Sequence, residues 1–247
     1  LDTGSTDDSI KKLKKRGVNV KKKKIIPWRF DVARNLSLDL VSKDTDICVC
    51  TDLDEDFDSG WRDKLEELWD NGITRLRYNY IWSFDKNGNP AVNFYIEKIH
   101  ARDDYKWTHP VHEVLSYDKE EKTITTDLIT LKHYPDNTKS RSSYLPLLEL
   151  SVKENPDDDR NMHYLGREYM YYGKWNECID TLIKHLNLPS ATWKDERSAS
   201  MRFIARSYKA LKRYCQGALE VQDTINACWS NSKDVNIWTL PDGHTAY

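Results

Sequence analysis

A cluster of acidic residues directly follows an apolar segment of the chain. Residues 52–58 contain five carboxylates, and the preceding residues 46–51 form an apolar, β-branched run that predicts a buried strand of a parallel sheet. Ligands of open α/β sheets bind beyond the carboxyl ends of the strands, where an Asp-x-Asp pair can hold a hard divalent cation that neutralises a diphosphate. Asp52 and Asp54 form such a pair. Because aspartate is also common in loops that precede helices, the pair by itself leaves a solvated acidic loop open.

The elements that would position these carboxylates alternate between helix and strand, which favours an α/β domain. A glycine turn at Gly4 leads into a helix that ends at Gly17, and a helix with Leu65 inward follows the acidic cluster. The Asn87-Gly88 pair is typical of a hairpin turn between two strands. Extended segments are predicted at residues 74–84, 91–101, 111–117 and 123–133.

The second part of the chain has a different pattern, because residues from about 140 onward are helical in character. Leu165-Gly166, Tyr169 and Cys178 match much of the tetratricopeptide pattern, and residues 204–218 repeat it more weakly. We therefore expect two domains: an α/β domain over residues 1–139 and tetratricopeptide-like helical repeats over residues 140–247.

Composition excludes several classes of protein. Nine Trp and fourteen Tyr are too many apolar anchors for a disordered chain, and a net charge of −2 gives no global basic field for nucleic acid. No apolar run approaches the ~18 residues of a membrane span. The five cysteines lack the spacing of a zinc site, and Cys48 and Cys50 are predicted to be buried thiols. These features predict a soluble protein of a reducing cytoplasm.

Five motifs occur in an order that is informative as a set. They are Asp2-Thr3-Gly4-Ser5-Thr6-Asp7, Phe30-Asp31-Val32-Ala33-Arg34-Asn35, Asp52-Leu53-Asp54-Glu55, Trp107-Thr108-His109-Pro110-Val111-His112-Glu113 and Lys132-His133-Tyr134-Pro135. Together they resemble the family 2 glycosyltransferases of the glycosyltransferase A (GT-A) fold, a Rossmann-like nucleotide-diphospho-sugar domain. One branch of that family carries tetratricopeptide-like helices after the catalytic domain, as this chain is predicted to do. Leu1 falls where those enzymes have completed a first strand and helix, so the resemblance implies an N-terminally truncated chain.

The resemblance implies a binding role for several of these residues. Asp2 matches an acid that contacts the nucleotide base or ribose, and Arg34 matches an arginine that faces the nucleotide or diphosphate. Asp54 matches a residue that binds the metal directly, and Asp52 matches a residue near both the ribose and the metal. His133 matches a metal ligand that occurs late in the sequence of the catalytic domain. An imidazole beside carboxylates suits Mn²⁺ better than Mg²⁺. The implied donor is a nucleotide sugar, with a UDP-sugar expected.

The resemblance also implies the reaction. Family 2 enzymes generally invert the anomeric centre in one displacement, so the chain would need one base to deprotonate the acceptor. Glu113 is the first candidate for this base and His112 the second. Because neighbouring residues of a strand point to opposite faces, only one of the two is expected to face the sugar. In the alternative interpretation His112 orients a loop and Glu113 pairs with a nearby cation.

The acceptor and two other classes of function stay open. Relatives with this layout modify peptides, proteins or glycans, and the helical domain would hold such an acceptor. A nucleotidyltransferase would also use metal carboxylates, but the glycine-rich phosphate loop common in sugar nucleotidyltransferases is absent, since Gly4 and Gly17 are the only glycines before Gly60. A non-catalytic scaffold would act through the helices alone. The basic run at residues 11–24 fits either a peripheral position at the inner membrane surface or two solvated helix and strand ends.

Overall fold

The computed structural model describes residues 1–70, 72–136 and 142–212. The chain divides into two compact units, Leu1–Arg141 and Ser142–Tyr247. In its described residues the first unit is a mixed α/β structure and the second contains helices. Among the described residues no helix is both long and apolar enough to cross a membrane.

The first unit contains three helices and seven strands in its described part. In chain order these are α1 (Ser9–Lys15), α2 (Phe30–Leu38), β1 (Ile47–Val49), β2 (Glu55–Phe57), α3 (Trp61–Leu68), β3 (Arg75–Phe84), β4 (Pro90–Ala101), β5 (Tyr105–Thr108), β6 (Val114–Tyr117) and β7 (Thr123–His133). Five of the strands form one sheet in the order β1-β4-β3-β7-β2, and β5 and β6 form a second sheet of two strands. The predicted α/β class is therefore confirmed at the level of a mixed sheet with helices.

The hairpin of β3 and β4 follows the turn chemistry of the sequence. The Asp85 carboxylate accepts hydrogen bonds from the backbone N–H groups of Asn87 and Asn89, at 2.8 and 2.9 Å, and Gly88 has a φ of 82°. Such a left-handed backbone is readily available to glycine. Buried side chains of β3 and of its neighbours then pack against Leu65 of α3 to form the core of this unit: Leu76, Tyr78, Tyr80, Ile99, Ile129 and Leu131.

The pairing of β1 differs from the expectation. The strand itself is confirmed, but it pairs antiparallel with β4, whereas the apolar run predicted a parallel sheet. The one parallel pairing among the described strands joins β3 and β7. An apolar run indicates burial but carries no information on strand direction, because strands of both pairing types can be buried.

Strands β2 and β5 were not predicted. The sequence of β2 is acidic, and charged residues carry little strand signal. Its pairing is supplied by β7, where Asp56 lies opposite Lys132 and Glu55 lies opposite His133. The opposite charges of Asp56 and Lys132 on paired strands help to stabilise this pairing.

The second unit contains helices α4 (Tyr144–Glu154), α5 (Asp159–Tyr171), α6 (Trp175–Asn187) and α7 (Lys194–Ala210) in its described part. Helices α5 and α6 form a hairpin around Gly173, which has a φ of 70°. The core consists of Met170, Cys178, Ile179, Leu182, Leu186, Phe203, Ile204 and Tyr208. The second half of the weaker repeat, beyond residue 212, lies outside the described residues.

Gly166 permits close packing of α5 on α6. A Cβ atom at this position would lie 2.3 Å from Cδ2 of Leu182, too close for any packing without displacement of the leucine. We expect Gly166→Ala to lower the free energy of unfolding of this unit by about 1–3 kcal/mol, because overpacking strains the core. Urea titration followed by hydrogen exchange of α5 and α6 peptides measures this change. An unchanged midpoint would contradict it, and Lys184→Ala, at an exposed site of α6, is the matched control.

Two buried histidines make the stability of this unit depend on pH. Burial lowers the pKa of His163 to about 3 and the pKa of His185 to about 4. The unfolded chain binds protons at both near pH 6.5, so it holds more protons than the folded chain below that pH. We expect the free energy of unfolding to fall from about pH 6.5 towards pH 4, by up to about 1.4 kcal/mol per pH unit for each histidine.

The same exchange measurement at pH 7, 6 and 5 checks this pH dependence. His185→Gln should make the loss shallower, since one of the two titrating groups is gone. Equal stability of the wild-type unit at pH 7 and pH 5 would show that the imidazoles do not control it.

Candidate functional site

Arg34 joins three segments that are far apart in the sequence. Its side chain on α2 donates from Nη2 to Asp52 Oδ1 at 2.7 Å and from Nε to Glu113 Oε1 at 2.5 Å. The guanidinium also lies over the Trp107 ring, 4.7 Å from its centroid. The helix motif, the acidic cluster and the Val-His-Glu motif of the sequence therefore meet at one arginine.

Lys98 holds the other side of the acidic cluster. Its Nζ atom on β4 lies 2.9 Å from Asp52 Oδ2 and 2.7 Å from Glu55 Oε1. The Glu55 side chain is fully buried. Its carboxylate also accepts hydrogen bonds from the Tyr80 hydroxyl and from the backbone N–H of Asp52, each at 2.8 Å. Glu55 therefore fixes the backbone at the start of the Asp-x-Asp segment.

Sequence reasoning assigned no function to Glu55 or Lys98. One signal was available for Glu55, since it directly follows the Asp-x-Asp pair. For Lys98 strand alternation gave no reliable signal, because the register of β4 on β3 shifts between Ile96 and Ile99.

The charges of this network control its protonation. Burial by itself lowers the pKa of Arg34, but the carboxylates of Asp52 and Glu113 outweigh burial and hold the pKa above its ordinary value. Burial raises the pKa of Asp52, but Lys98 and Arg34 outweigh it and hold that pKa below its ordinary value. Arg34 and Asp52 are therefore both charged at neutral pH.

Asp54 and His133 meet through the pairing of β2 with β7. The backbone N–H of Tyr134 donates to the Asp54 carbonyl at 2.7 Å, which continues the ladder beyond the Glu55–His133 pair. As a result, His133 Nε2 lies 3.9 Å from Asp54 Oδ2. The late histidine and the second aspartate of the Asp-x-Asp pair are thus brought together, as the resemblance implies.

The other ring nitrogen of His133 fixes its tautomer. Nδ1 lies 3.1 Å from the carbonyl oxygen of Trp82, and a carbonyl can only accept, so Nδ1 carries the proton. In the neutral ring the Nε2 lone pair is then directed towards Asp54. A histidine that donates to a backbone carbonyl and offers its other nitrogen is the usual form of a metal ligand. The Trp82 ring stacks on the imidazole, with centroids 4.5 Å apart, and holds its orientation.

Asp52 does not join this pair as a third ligand. Among the described residues, a group of three metal-competent side chains within 4.8 Å of one another occurs only elsewhere in the chain. Asp52 is instead neutralised by Arg34 and Lys98. Of the three predicted metal ligands, Asp54 and His133 lie close together, and Asp52 pairs with Arg34 and Lys98.

The remaining predicted residues have different surroundings. Asp2 is buried, and its carboxylate accepts from the backbone N–H groups of Gly4 and Ser5, so its described contacts close its own turn. His112 and Glu113 precede β6 and do not lie on a strand, and His112 has a φ of 53°. The expectation that they point to opposite faces as strand neighbours is therefore wrong. Glu113 pairs with Arg34, as the alternative interpretation required.

A cavity of about 310 Å³ adjoins Arg34. Its lining includes Arg34, Thr51 and Trp107, together with Cys48 and Cys50 of the β1 segment. Burial raises the pKa of the Cys50 thiol to about 11, so it stays protonated at neutral pH. A protonated thiol is a poor metal ligand. Cys48 is buried as predicted, whereas Cys50 is half-buried.

Comparison of the sequence with protein-family models finds no match, and comparison with curated proteins finds none either. The function proposed below therefore rests on the site residues and on the order of the motifs.

Proposed function

We propose that this chain is an inverting, metal-dependent glycosyltransferase of the family 2 type. A GT-A domain over residues 1–139 would transfer a sugar from a UDP-sugar to a peptide, protein or glycan hydroxyl. The tetratricopeptide-like helices over residues 140–247 would hold the acceptor. The observation that carries the proposal is the convergence of Asp54 with His133, since it pairs two residues 79 apart that the resemblance assigns to one metal ion.

The donor set of the site fits a divalent metal ion. One carboxylate and one imidazole nitrogen with a fixed tautomer suit Mn²⁺ better than Mg²⁺. Asp54 and His133 would hold this ion, and oxygens of the donor diphosphate would complete its ligands. When bound, such an ion would neutralise the negative charge that develops on the leaving diphosphate.

Arg34 is suited to bind the diphosphate and to control Glu113. Its planar guanidinium binds carboxylate and phosphate oxygens with similar geometry. In this structure its partners are Asp52 and Glu113. A diphosphate that replaced Glu113 at Nε would leave the Glu113 carboxylate available for the acceptor.

Glu113 would then act as the base. The acceptor oxygen forms a bond to the anomeric carbon while the bond from that carbon to the diphosphate oxygen breaks, and the acceptor proton passes to the Glu113 carboxylate. The electron pair of the broken bond leaves with the diphosphate, and the anomeric centre is inverted. His112 is the second candidate because it is adjacent to Glu113 in the chain.

Trp82 offers a surface for a sugar ring beside the metal ligands. Its side chain is 47% exposed although it stacks on His133. Aromatic faces bury apolar sugar surface well. Trp107, in contrast, is buried, and its ring packs against the Arg34 guanidinium.

Incubation of the full chain with a panel of nucleotide sugars and Mn²⁺, followed by mass spectrometry, tests the proposal. We expect release of the nucleoside diphosphate and transfer of the sugar to an acceptor or to water, both lost with a chelator. Release of pyrophosphate from a nucleoside triphosphate and a sugar phosphate would instead identify a nucleotidyltransferase. Absence of all turnover would favour the non-catalytic scaffold.

A further inference from the structure

Three side chains that can bind a metal ion meet in the helical unit, at the ends of three helices. Asp159 is the first residue of α5, His185 lies in the last turn of α6, and Glu196 lies in the first turn of α7. One donor atom from each lies within 4.8 Å of the other two. Within residues 1–70, 72–136 and 142–212 this is the one such group.

The surroundings of His185 orient its ring. Ser200 Oγ lies 2.7 Å from His163 Nδ1 and 3.1 Å from His185 Nδ1, and Ser200 is fully buried. The hydroxyl has one proton to donate, and we assign it to the shorter contact with His163. His185 Nδ1 then donates to Ser200, which leaves Nε2 as the nitrogen with a lone pair. A hydrogen-bond acceptor that fixes the tautomer of an imidazole in this way plays the part of an outer-shell partner of a metal ligand.

Two of the three members carry acidic side chains that lie close together. Glu196 is only 9% exposed, and the cations that act on its carboxylate are Arg160 and Arg167. A carboxylate buried beside a second one is costly unless a proton or a cation neutralises it. A bound divalent cation would neutralise both acids at the point where they meet His185.

We propose that Asp159, His185 and Glu196 bind a divalent transition metal ion, with Zn²⁺ as the expected ion, and that this ion ties together the ends of α5, α6 and α7. One imidazole and two carboxylates form an N/O donor set that zinc accepts, and a water molecule would take the fourth position. With bonds of about 2.0–2.2 Å, a tetrahedral ion holds its donors about 3.4 Å apart. Side-chain rotations that move the donor atoms by about 1 Å would bring them from their present separation of up to 4.8 Å to that distance. This site is independent of the proposed glycosyltransferase function.

Asp159 and Glu196 lie in the first turns of α5 and α7. Carboxylates at helix N-termini are stabilised by the helix dipole, which helps to keep both acids in place.

Equilibrium dialysis of the chelator-treated full chain against Zn²⁺, with metal counted by mass spectrometry, tests the site. Loss of an outer-shell partner typically weakens metal binding about 10–100-fold, so loss of a direct ligand should weaken it about 100-fold or more. We expect that loss for His185→Gln and Glu196→Gln, and about a 10-fold loss for Ser200→Ala. Asp195→Asn, a neighbouring acid in the exposed part of the same turn, should bind as the wild type does.

A second measurement separates this site from the one at Asp54. Co²⁺ bound to the wild-type chain should give visible absorption bands that persist in His133→Gln and disappear in Glu196→Gln. Far-ultraviolet circular dichroism confirms that each variant is folded. Unchanged Zn²⁺ affinity in both His185→Gln and Glu196→Gln, or Zn²⁺ binding that depends on His133 alone, would overturn the proposal and leave the glycosyltransferase function untouched.

Discussion

Substitution of Asp54 by Asn should abolish the Mn²⁺-dependent part of UDP binding, a loss of about 100-fold or more in affinity. The amide keeps the size of the side chain but removes the negative charge that faces His133 Nε2 at 3.9 Å. Without that charge the site retains one neutral ligand, which cannot hold a divalent cation against water. Isothermal titration with UDP, with Mn²⁺ or with a chelator, measures the loss.

The matched control is Asp56→Asn. Asp56 is exposed on β2, two residues after Asp54, and lies opposite Lys132. Its substitution therefore removes a charge of the acidic cluster without changing Asp54 or His133. We expect it to bind UDP and Mn²⁺ as the wild type does. If Asp54→Asn bound UDP and Mn²⁺ as tightly as the wild type, Asp54 would not be a metal ligand. Equal losses of affinity in Asp54→Asn and Asp56→Asn would indicate a nonspecific effect of the acidic charge.

Substitution of Glu113 by Gln should reduce turnover by about 10²–10⁴-fold, which is the usual contribution of a general base. The amide oxygen of glutamine can still accept from Arg34 Nε, so the bend that precedes β6 should keep its position. Donor binding should therefore change only a few-fold. Steady-state kinetics with the donor identified by mass spectrometry would show this as a loss in kcat with little change in KM.

Two further variants make this result specific. Glu97→Gln alters a carboxylate on β4 that pairs with Arg75 and Arg77, and it should leave turnover unchanged. His112→Gln tests the second candidate base. Near-normal turnover in Glu113→Gln together with a large loss in His112→Gln would transfer the role to His112, and Glu113 would then be a positioning partner of Arg34.

Turn chemistry and periodicity predicted the elements whose signals are local. The Asn87-Gly88 turn predicted the β3–β4 hairpin, and the spacing of Trp61, Leu65 and Leu68 predicted α3, because both patterns depend on contacts within a few residues. The same reasoning missed β2, since its acidic sequence has no strand preference of its own. It also placed His112 and Glu113 on a strand, because nothing in their types shows the left-handed backbone that turns the chain at His112.

The sequence by itself determined the α/β class, the position of the Asp-x-Asp pair after a short apolar strand, and the change to helices near residue 140. Tertiary structure alone decided which side chains meet. The antiparallel register of β2 with β7 brings Asp54 to His133. Arg34 binds both Asp52, which follows it by 18 residues, and Glu113, which follows it by 79 residues. Asp159, His185 and Glu196 follow no spacing motif, since they converge only when three helices pack. Local preferences act over a few residues, whereas these charges are paired by packing between distant segments, and that packing is set by the burial of the whole core.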